Sequence, residues 1–236
     1  MPVMTDLRTA ELKILAGGST TGWMNELAAQ FERTSGHKLG IHFDSTPNLI
    51  KQATSDAPFD LAVVPVDVFK DAAARARFVA GPTVDIARVG YGVVVRSGAP
   101  KPDIGTSEAL KKALLAAPSI TFVPESAAGA HVLKTFDRLG IGEAMKAKTK
   151  PQTMPAQIVP SVANGEAELG VFLVNVLIAP GVELVGPFPA ELQQELVFSA
   201  AVAAESKDAE ASKGFIDFLT TPAAKAVIKA KGMKPG

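Results

Sequence analysis

Short apolar runs alternate with amphipathic segments along the chain, and this alternation restricts the possible folds more than any other feature. Residues 12–17 and 59–65 are apolar runs with strand character, and the second is apolar at nearly every position. Between them, apolar residues recur at helical spacing over residues 24–31 and would form one buried helix face. Strands that alternate with helices at this spacing predict an α/β fold with parallel sheets.

The alternation continues into a second α/β set. The further expected elements are strands at 39–43, 120–123 and 169–173 and helices at 66–77, 107–115, 130–139, 158–164, 209–219 and 222–231, with another helix beginning near residue 49.

Two long extended segments, 84–96 and 195–203, lie where a two-lobed protein would pass twice between its lobes. We therefore expect hinge crossings near residues 86–92 and 194–200. The first lobe would contain residues 12–88 and 198–236, and the second lobe residues 89–197.

Composition narrows the range of functions. The chain has 236 residues with 24 Lys+Arg and 24 Asp+Glu, so its formal net charge is zero. A nucleic-acid partner is not expected, because no excess of positive charge is available to neutralise phosphates. No apolar run reaches the roughly 18 residues of a membrane span, so we expect no direct membrane insertion. The lack of cysteine excludes disulfides, thiolate metal sites and a cysteine nucleophile, and we expect neither a metal nor a cofactor.

Residues 1–11 bear on the cellular compartment. They lack the apolar core and the small-residue cleavage site that mark a secretory signal peptide. We expect a periplasmic protein if a signal peptide is removed to give this chain, and a cytoplasmic protein otherwise.

Small polar residues follow three predicted strands, at residues 17–21, 44–48 and 125–129, and each group precedes a predicted helix. Ligands of open α/β sheets bind beyond the carboxyl ends of the strands. A helix N-terminus presents free backbone N–H groups and about half a positive charge, and hydroxyls add further donors. Two of these turns fall in the first lobe and one in the second, so we expect them to form one interlobe cleft for a small anion.

Six segments between residues 12 and 232 carry a family resemblance: LKILAGGSTTGWMNELAAQFERTSG, FDSTPNLIKQA, PFDLAVVP, VPESAAGAHVLKTFDRLG, ANGEAELGVF and DFLTTPAAKAVIKAKG. In this order and spacing they resemble the type II periplasmic binding proteins, in particular the molybdate-binding proteins of ABC importers. The resemblance implies two α/β lobes, each a mainly parallel sheet flanked by helices, with the ligand in the cleft between them.

The resemblance also implies a ligand set made of hydroxyls and backbone N–H groups without a cationic side chain. By position, Ser19 and Thr46 (or Ser45) would supply hydroxyls, and Ala128 would supply a backbone N–H. With neighbouring and cleft-facing polar positions included, the candidate ligand-binding residues are Ser19, Thr20, Ser45, Thr46, Arg88, Ala128, Gly129 and Asn175.

Two positions depart from the family pattern. A further backbone donor falls near Pro155, which has no N–H, and the tyrosine ligand falls at Leu173, which has no hydroxyl. A hydrogen bond to a charged group contributes about 1.5–3 kcal/mol, so we expect a small carboxylate or other organic anion rather than molybdate. Arg88 could clamp such a carboxylate with two hydrogen bonds, or form an ion pair at the surface.

A second function stays open. A few members of this superfamily isomerise small unsaturated carboxylic acids such as aconitate, which requires a carboxylate clamp and a base near the moving proton. Arg88 would then be the clamp, and His131 or Glu125 the catalytic base. Under the binding function, the expected partners are a small anionic ligand and the membrane component of an ABC importer, and the chain would act as a monomer.

Overall fold

The computed structural model describes residues 9–236, in which eleven strands form two sheets. The first sheet contains β1 (Glu11–Gly17), β2 (Lys38–Asp44), β3 (Leu61–Pro65), β4 (Val84–Val89), β10 (Leu196–Val202) and β11 (Lys234–Pro235), in the spatial order β11-β4-β10-β3-β1-β2. The second sheet contains β5 (Tyr91–Arg96), β6 (Ile120–Phe122), β7 (Thr149–Pro151), β8 (Leu169–Leu173) and β9 (Val182–Pro187), in the order β7-β6-β8-β5-β9.

Helices flank both sheets. They are α1 (Thr21–Ser35), α2 (Thr46–Ala53), α3 (Val66–Lys70), α4 (Ala72–Arg75), α5 (Ser107–Ala116), α6 (Ala127–Arg138), α7 (Gly142–Lys148), α8 (Ile158–Ala163), α9 (Val174–Leu177), α10 (Ala209–Leu219) and α11 (Pro222–Ala230). Short 3-10 turns occupy Gly18–Thr20 and Pro155–Gln157. Within residues 9–236, no helix combines the length and the apolar character needed to cross a membrane.

The α/β fold class is confirmed, but the sheets are mixed rather than mainly parallel. β1 pairs in parallel with β2 and β3, and β6 pairs in parallel with β7 and β8. In contrast, β10 runs antiparallel to β3 and β4, and β5 runs antiparallel to β8 and β9. The chain enters β5 and β10 directly after it passes from one sheet to the other. Each of these strands runs opposite to the strands beside it.

The extended segment at residues 84–96 is not a single strand. The segment divides at Gly90 into β4 of the first sheet and β5 of the second. A Cβ atom added at Gly90 would lie 2.9 Å from the side chain of Gln193, so a larger residue would disturb this contact. The amide of Gln193 accepts a hydrogen bond from the Tyr91 N–H (2.7 Å) and donates one to the Tyr91 carbonyl (2.9 Å). The break is therefore fixed by a residue about 100 positions away.

The prediction of a single helix over residues 66–77 is wrong, because two short helices, α3 and α4, replace it. Asp71 lies between them with extended backbone angles (φ −73°, ψ 120°), and its carboxylate accepts a hydrogen bond from the Ala74 N–H at 2.8 Å. A side chain that caps a new helix competes with continuation of the old one, and here the cap prevails.

The α2 helix begins at Thr46, three residues before the start predicted near residue 49, and α6 begins at Ala127 rather than Ala130. The predicted strand at residues 169–173 and the predicted helix at 209–219 match β8 and α10. Sequence reasoning missed two well-formed elements, α7 and β9.

The predicted apolar face of α1 is confirmed. Its buried members are Met24, Leu27, Ala28 and Phe31. Trp23 is fully buried beside them, and its indole N–H donates to the sulfur of Met233 at 3.2 Å. One apolar cluster extends through residues of both sheets. The lobe boundaries stay a prediction.

Candidate functional site

The turn after β1 contains three consecutive hydroxyl residues, and two of them bond to their own turn. The Thr20 hydroxyl donates to the Gly17 carbonyl, and the Thr21 hydroxyl donates to the Gly18 carbonyl, each at 2.7 Å. Thr20 occupies the N-cap position of α1 without a side-chain capping bond. The half-buried Ser19 precedes these two threonines, and because their hydroxyls bond within the turn, Ser19 supplies the hydroxyl that is available to a ligand.

The turn after β2 begins with Asp44 and continues into α2, whose N-cap residue is Ser45. One carboxylate oxygen of Asp44 accepts hydrogen bonds from the Ser45 N–H (2.7 Å) and the Asn48 amide (2.8 Å), and the other lies 3.2 Å from His42 Nε2. Burial by itself would raise the pKa of Asp44, but the bonds from Asn48, Ser45 and His42 outweigh it and lower that pKa. Asp44 is therefore ionised at neutral pH.

The turn after β6 leads into α6, and Ser126 caps that helix. The Ser126 hydroxyl accepts from the Gly129 N–H (2.9 Å) and donates to the Val123 carbonyl (2.8 Å). A Cβ at Gly129 would lie 1.9 Å from the same carbonyl, so the close approach of α6 to the end of β6 requires glycine.

These three turns meet at one small cavity between the sheets, here called the inner cavity. It measures about 20 Å³ and is lined by Gly17, Gly18, Ser19, Asp44, Ser45, Thr46, Pro65, Val123, Ser126, Ala127, Ala128, Pro155, Phe172, Leu196 and Phe198. Across it, the Ala127 N–H of α6 donates to the Thr46 hydroxyl of α2 at 3.3 Å. The start of a helix beside the first sheet thus contacts the start of a helix beside the second.

The structure brings together some of the sequence-predicted ligand residues and separates others. Ser19, Ser45, Thr46 and Ala128 line the inner cavity. Thr20 and Gly129 are adjacent to lining residues but are not among them, and their polar groups bond locally, to Gly17 and Ser126.

Arg88 and Asn175 are also outside the inner cavity. Arg88 lies on β4 with its guanidinium 3.7 Å from the Asp85 carboxylate, in the surface ion pair that was the alternative to a ligand clamp. Asn175 lies in a neighbouring outer cavity of about 310 Å³, which also contains Ser19 and Pro155. Its amide donates to the Ser19 carbonyl at 2.8 Å, so Asn175 contacts the backbone that carries a candidate ligand residue.

The two candidate bases differ in their surroundings. His131 packs against Tyr91 with ring centroids 4.5 Å apart, and its Nε2 bonds to the Leu192 carbonyl at 3.3 Å. Burial lowers the pKa of His131, and the positive charges of Lys134 and Arg138 act in the same direction. Glu125 is exposed, and neither His131 nor Glu125 lines the inner cavity.

Pro155 and Leu173, the two residues that depart from the family pattern, bring apolar side chains to this part of the structure. Pro155 lines the inner cavity directly, where it brings no N–H group. Leu173 is fully buried opposite Tyr91 in the second sheet, whereas its neighbour Phe172 reaches the cavity.

Sequence reasoning missed the lining residues Leu196 and Phe198. They come from β10, and their place at the cavity depends on antiparallel pairing with distant strands, which no local pattern reveals. Among residues 9–236, no group of three or more histidines and carboxylates is placed to hold a metal ion.

Two relatives of different function resemble this chain over nearly its whole length. It is 29% identical to an aconitate isomerase of Pseudomonas sp. over 99% of this chain and 91% of that protein. It is also 29% identical to the molybdate-binding protein ModA of Azotobacter vinelandii, over 95% of this chain and 90% of that protein.

Solved structures show the same fold. The periplasmic molybdate-binding protein of Azotobacter vinelandii superposes with a TM-score of 0.78 at 20% identity, covering 94% of this chain and 98% of that one. A substrate-binding domain of a putative molybdenum ABC transporter from Clostridium difficile gives a TM-score of 0.73 at 18% identity, covering 96% and 99%. The family model described as bacterial extracellular solute-binding protein matches residues 12–234. The chain therefore belongs to the family of bacterial extracellular solute-binding proteins.

Proposed function

We propose that this protein captures a small anion in the inner cavity and releases it to the membrane component of an ABC importer, acting as a monomer in the periplasm. The observation that carries the proposal is the meeting of Ser19, Thr46 and Ala128, from both sheets, at a single cavity. Helix starts and hydroxyls offer hydrogen-bond donors to an anion without a cationic side chain.

The contact between Thr46 and Ala127 indicates how binding would be coupled to closure. At present the Ala127 N–H donates to the Thr46 hydroxyl, so these two groups satisfy each other across the cavity. An anion placed between them would accept a hydrogen bond from both. Such a ligand binds the closed arrangement better than an open one, which is the condition for it to shift the equilibrium toward closure.

The size of the cavity supports entry by opening. About 20 Å³ is room for roughly one water molecule, which is less than an oxyanion or a carboxylic acid needs. We propose that residues 12–88 with 198–236 and residues 89–197 move as two lobes about the crossings near 86–92 and 194–200. Hinge motion of this kind is a common response to ligands that bind between two lobes.

The test is a titration with molybdate, tungstate, sulfate and a panel of di- and tricarboxylates, followed by tryptophan fluorescence and melting temperature. Trp23 is fully buried four residues after Ser19, so closure around a ligand is expected to alter its emission. At least one anion is expected to raise the melting temperature. If no anion in the panel changes either signal, the proposal is wrong.

A pair of variants locates the binding site. Ser19→Ala is expected to weaken binding roughly tenfold or more, because a hydrogen bond to a charged group contributes about 1.5–3 kcal/mol. Thr21→Val is the matched control, since the exposed Thr21 hydroxyl is bonded to the Gly18 carbonyl, and its loss should leave affinity unchanged. Equal affinities in the two variants would place the anion elsewhere.

A second candidate function, isomerisation of a small unsaturated carboxylic acid, is favoured by the similarity to the aconitate isomerase over nearly the whole chain. His131 is held neutral by its lowered pKa, as a base near neutral pH must be, although it lies outside the inner cavity. Incubation with cis-aconitate, with the trans isomer followed by chromatography, separates the two functions. Turnover by the wild type would establish the isomerase, its loss in His131→Ala or in Glu125→Gln would identify the base, and binding without turnover would remove this function.

A further inference from the structure

Asp44 gives the inner cavity an unusual electrostatic character for an anion site. Of the described residues that line this cavity, it is the one with a charged side chain, and the charge is negative. Its side chain is 18% exposed, so solvent screens the carboxylate only in part. No cationic side chain is among the described lining residues, and the His42 ring, 3.2 Å from this carboxylate, lies outside the cavity.

The same loop supplies fewer donors than its position suggests. The Ser45 N–H, at the start of α2, is already bonded to the Asp44 carboxylate. The next positions include Pro47, which has no N–H, and Pro155 faces the cavity with the same deficiency. Ser45, Pro47 and Pro155 therefore offer a tetrahedral dianion no free backbone N–H to compensate its second charge.

The remaining wall of the cavity is apolar. Val123, Phe172, Leu196 and Phe198 contribute to it, and all four side chains are at least nine-tenths buried. A carbon skeleton can pack against such a wall and gain free energy from removal of apolar surface from water. An inorganic oxyanion has no such surface to bury.

We propose that Asp44 determines specificity by charge, so that the cavity selects a singly charged carboxylate group on a small carbon skeleton over tetrahedral dianions such as molybdate, tungstate and sulfate. This inference rests on the proposed function and narrows its ligand to carboxylic acids. The physical reason is that repulsion by a fixed carboxylate scales with the charge of the incoming group, so a dianion is disfavoured twice as strongly as a monoanion at the same distance.

Asp44 also holds the turn that presents Ser45 and Thr46, and the test must separate this positioning role from the effect of charge. Loss of positioning would weaken all anions by a similar factor. Loss of charge would instead strengthen binding, and the gain in binding free energy would be proportional to the charge of the ligand. Affinities of Asp44→Asn for ligands of different charge therefore discriminate between the two roles.

The experiment compares wild type and Asp44→Asn by calorimetry at low ionic strength, with sulfate and molybdate as dianions and propionate and crotonate as monocarboxylates. The wild type is expected to bind a monocarboxylate more tightly than either dianion. In Asp44→Asn, dianion affinity is expected to rise about tenfold and monocarboxylate affinity about threefold, because the logarithm of the change scales with charge. Asp56→Asn, which removes an exposed carboxylate of the same lobe outside the cavity, is expected to change neither.

Three results would overturn the inference. Wild type that binds sulfate or molybdate as tightly as the monocarboxylates, or Asp44→Asn that weakens every anion equally, defeats the role of Asp44 and leaves the proposed function standing. Wild type that binds no anion of either class defeats the proposed function, and this inference with it. If Asp44→Asn fails to fold, Asp44→Ser removes the charge and keeps an acceptor for the Ser45 N–H. The change in dianion affinity relative to monocarboxylate affinity then tests the inference in the same way.

Discussion

At the scale of single residues, the turn after β1 shows how neighbouring hydroxyls acquire different roles. Ser19, Thr20 and Thr21 are equivalent in a sequence motif, and any of them could cap the following helix. In the structure the two threonine hydroxyls bond to carbonyls three residues earlier, and Thr20, the N-cap residue of α1, makes no side-chain capping bond. Local side-chain bonds to the backbone compete with capping, and the winner depends on backbone angles that the sequence does not specify.

The pH dependence of stability is also decided by single residues. Burial lowers the pKa of His131 below its ordinary value, so the unfolded chain takes up this proton at a higher pH than the folded one. The free energy of unfolding is therefore expected to fall as the pH decreases from about 7.5 through the usual histidine range near 6.5.

Urea unfolding of wild type and His131→Gln at pH 7.5 and pH 5.5 checks this expectation. The variant should lose less stability than the wild type between the two pH values. A second decline is expected below about pH 4, where Asp44, with its lowered pKa, takes up a proton as the pH falls through its folded-state value. Identical pH profiles for wild type and His131→Gln would contradict the assignment to His131.

At the scale of elements, the start of α6 determines the geometry of the second-sheet side of the cavity. Gly129→Ala is expected to lower stability by about 1–3 kcal/mol and to weaken anion binding, because the new methyl group would meet the Val123 carbonyl and displace the first turn of α6. Chemical denaturation and calorimetry measure the two effects.

Gly22→Ala is the matched control for that substitution. Gly22 also lies in the first turn of a helix, but a Cβ there would meet no atom within 4 Å. Alanine has the higher helix propensity, so this variant is expected to be as stable as the wild type or slightly more stable. Equal destabilisation by both substitutions would argue against the close approach at Gly129 as the cause.

Most helices and buried strands of this chain were accessible from the sequence, because their apolar periodicity is local. β8 and α10 match their predicted bounds for this reason. A crossing near residues 86–92 was expected from the sequence, but its place at Gly90 was not accessible, since both halves of residues 84–96 are extended and Gly90 packs against the distant Gln193. For the site, the three turns were found from the polar residues that follow strands, whereas Phe198 required knowledge of distant strand pairing.

At the scale of the whole molecule, the contact between Gln193 and Tyr91 joins the two passages of the chain between the sheets. Gln193→Ala would leave the Tyr91 N–H without this partner, at a cost of about 1–3 kcal/mol for a buried donor. Hydrogen exchange of the Tyr91 amide is expected to accelerate, and anion affinity to fall as the passage between the two sheets loosens.

Mass-spectrometric hydrogen exchange over residues 86–96 measures this effect. Asn25→Ala truncates an exposed amide side chain on α1 and serves as the control, with unchanged exchange in that segment. Unaltered exchange at Tyr91 in Gln193→Ala would show that the crossing is held by the strand pairing alone.

The order of strands in the first sheet also affects synthesis on the ribosome. All five strands of the second sheet lie within residues 91–187, so that sheet can be complete before β10 and β11 emerge. β10 occupies the middle of the first sheet, between β3 and β4, yet it is made only after them. Until residues 196–202 emerge, the nascent chain exposes the apolar edge of β3, which is a site for wrong pairing with other chains. Wrong pairing at this edge is therefore expected chiefly before residues 196–202 have been translated.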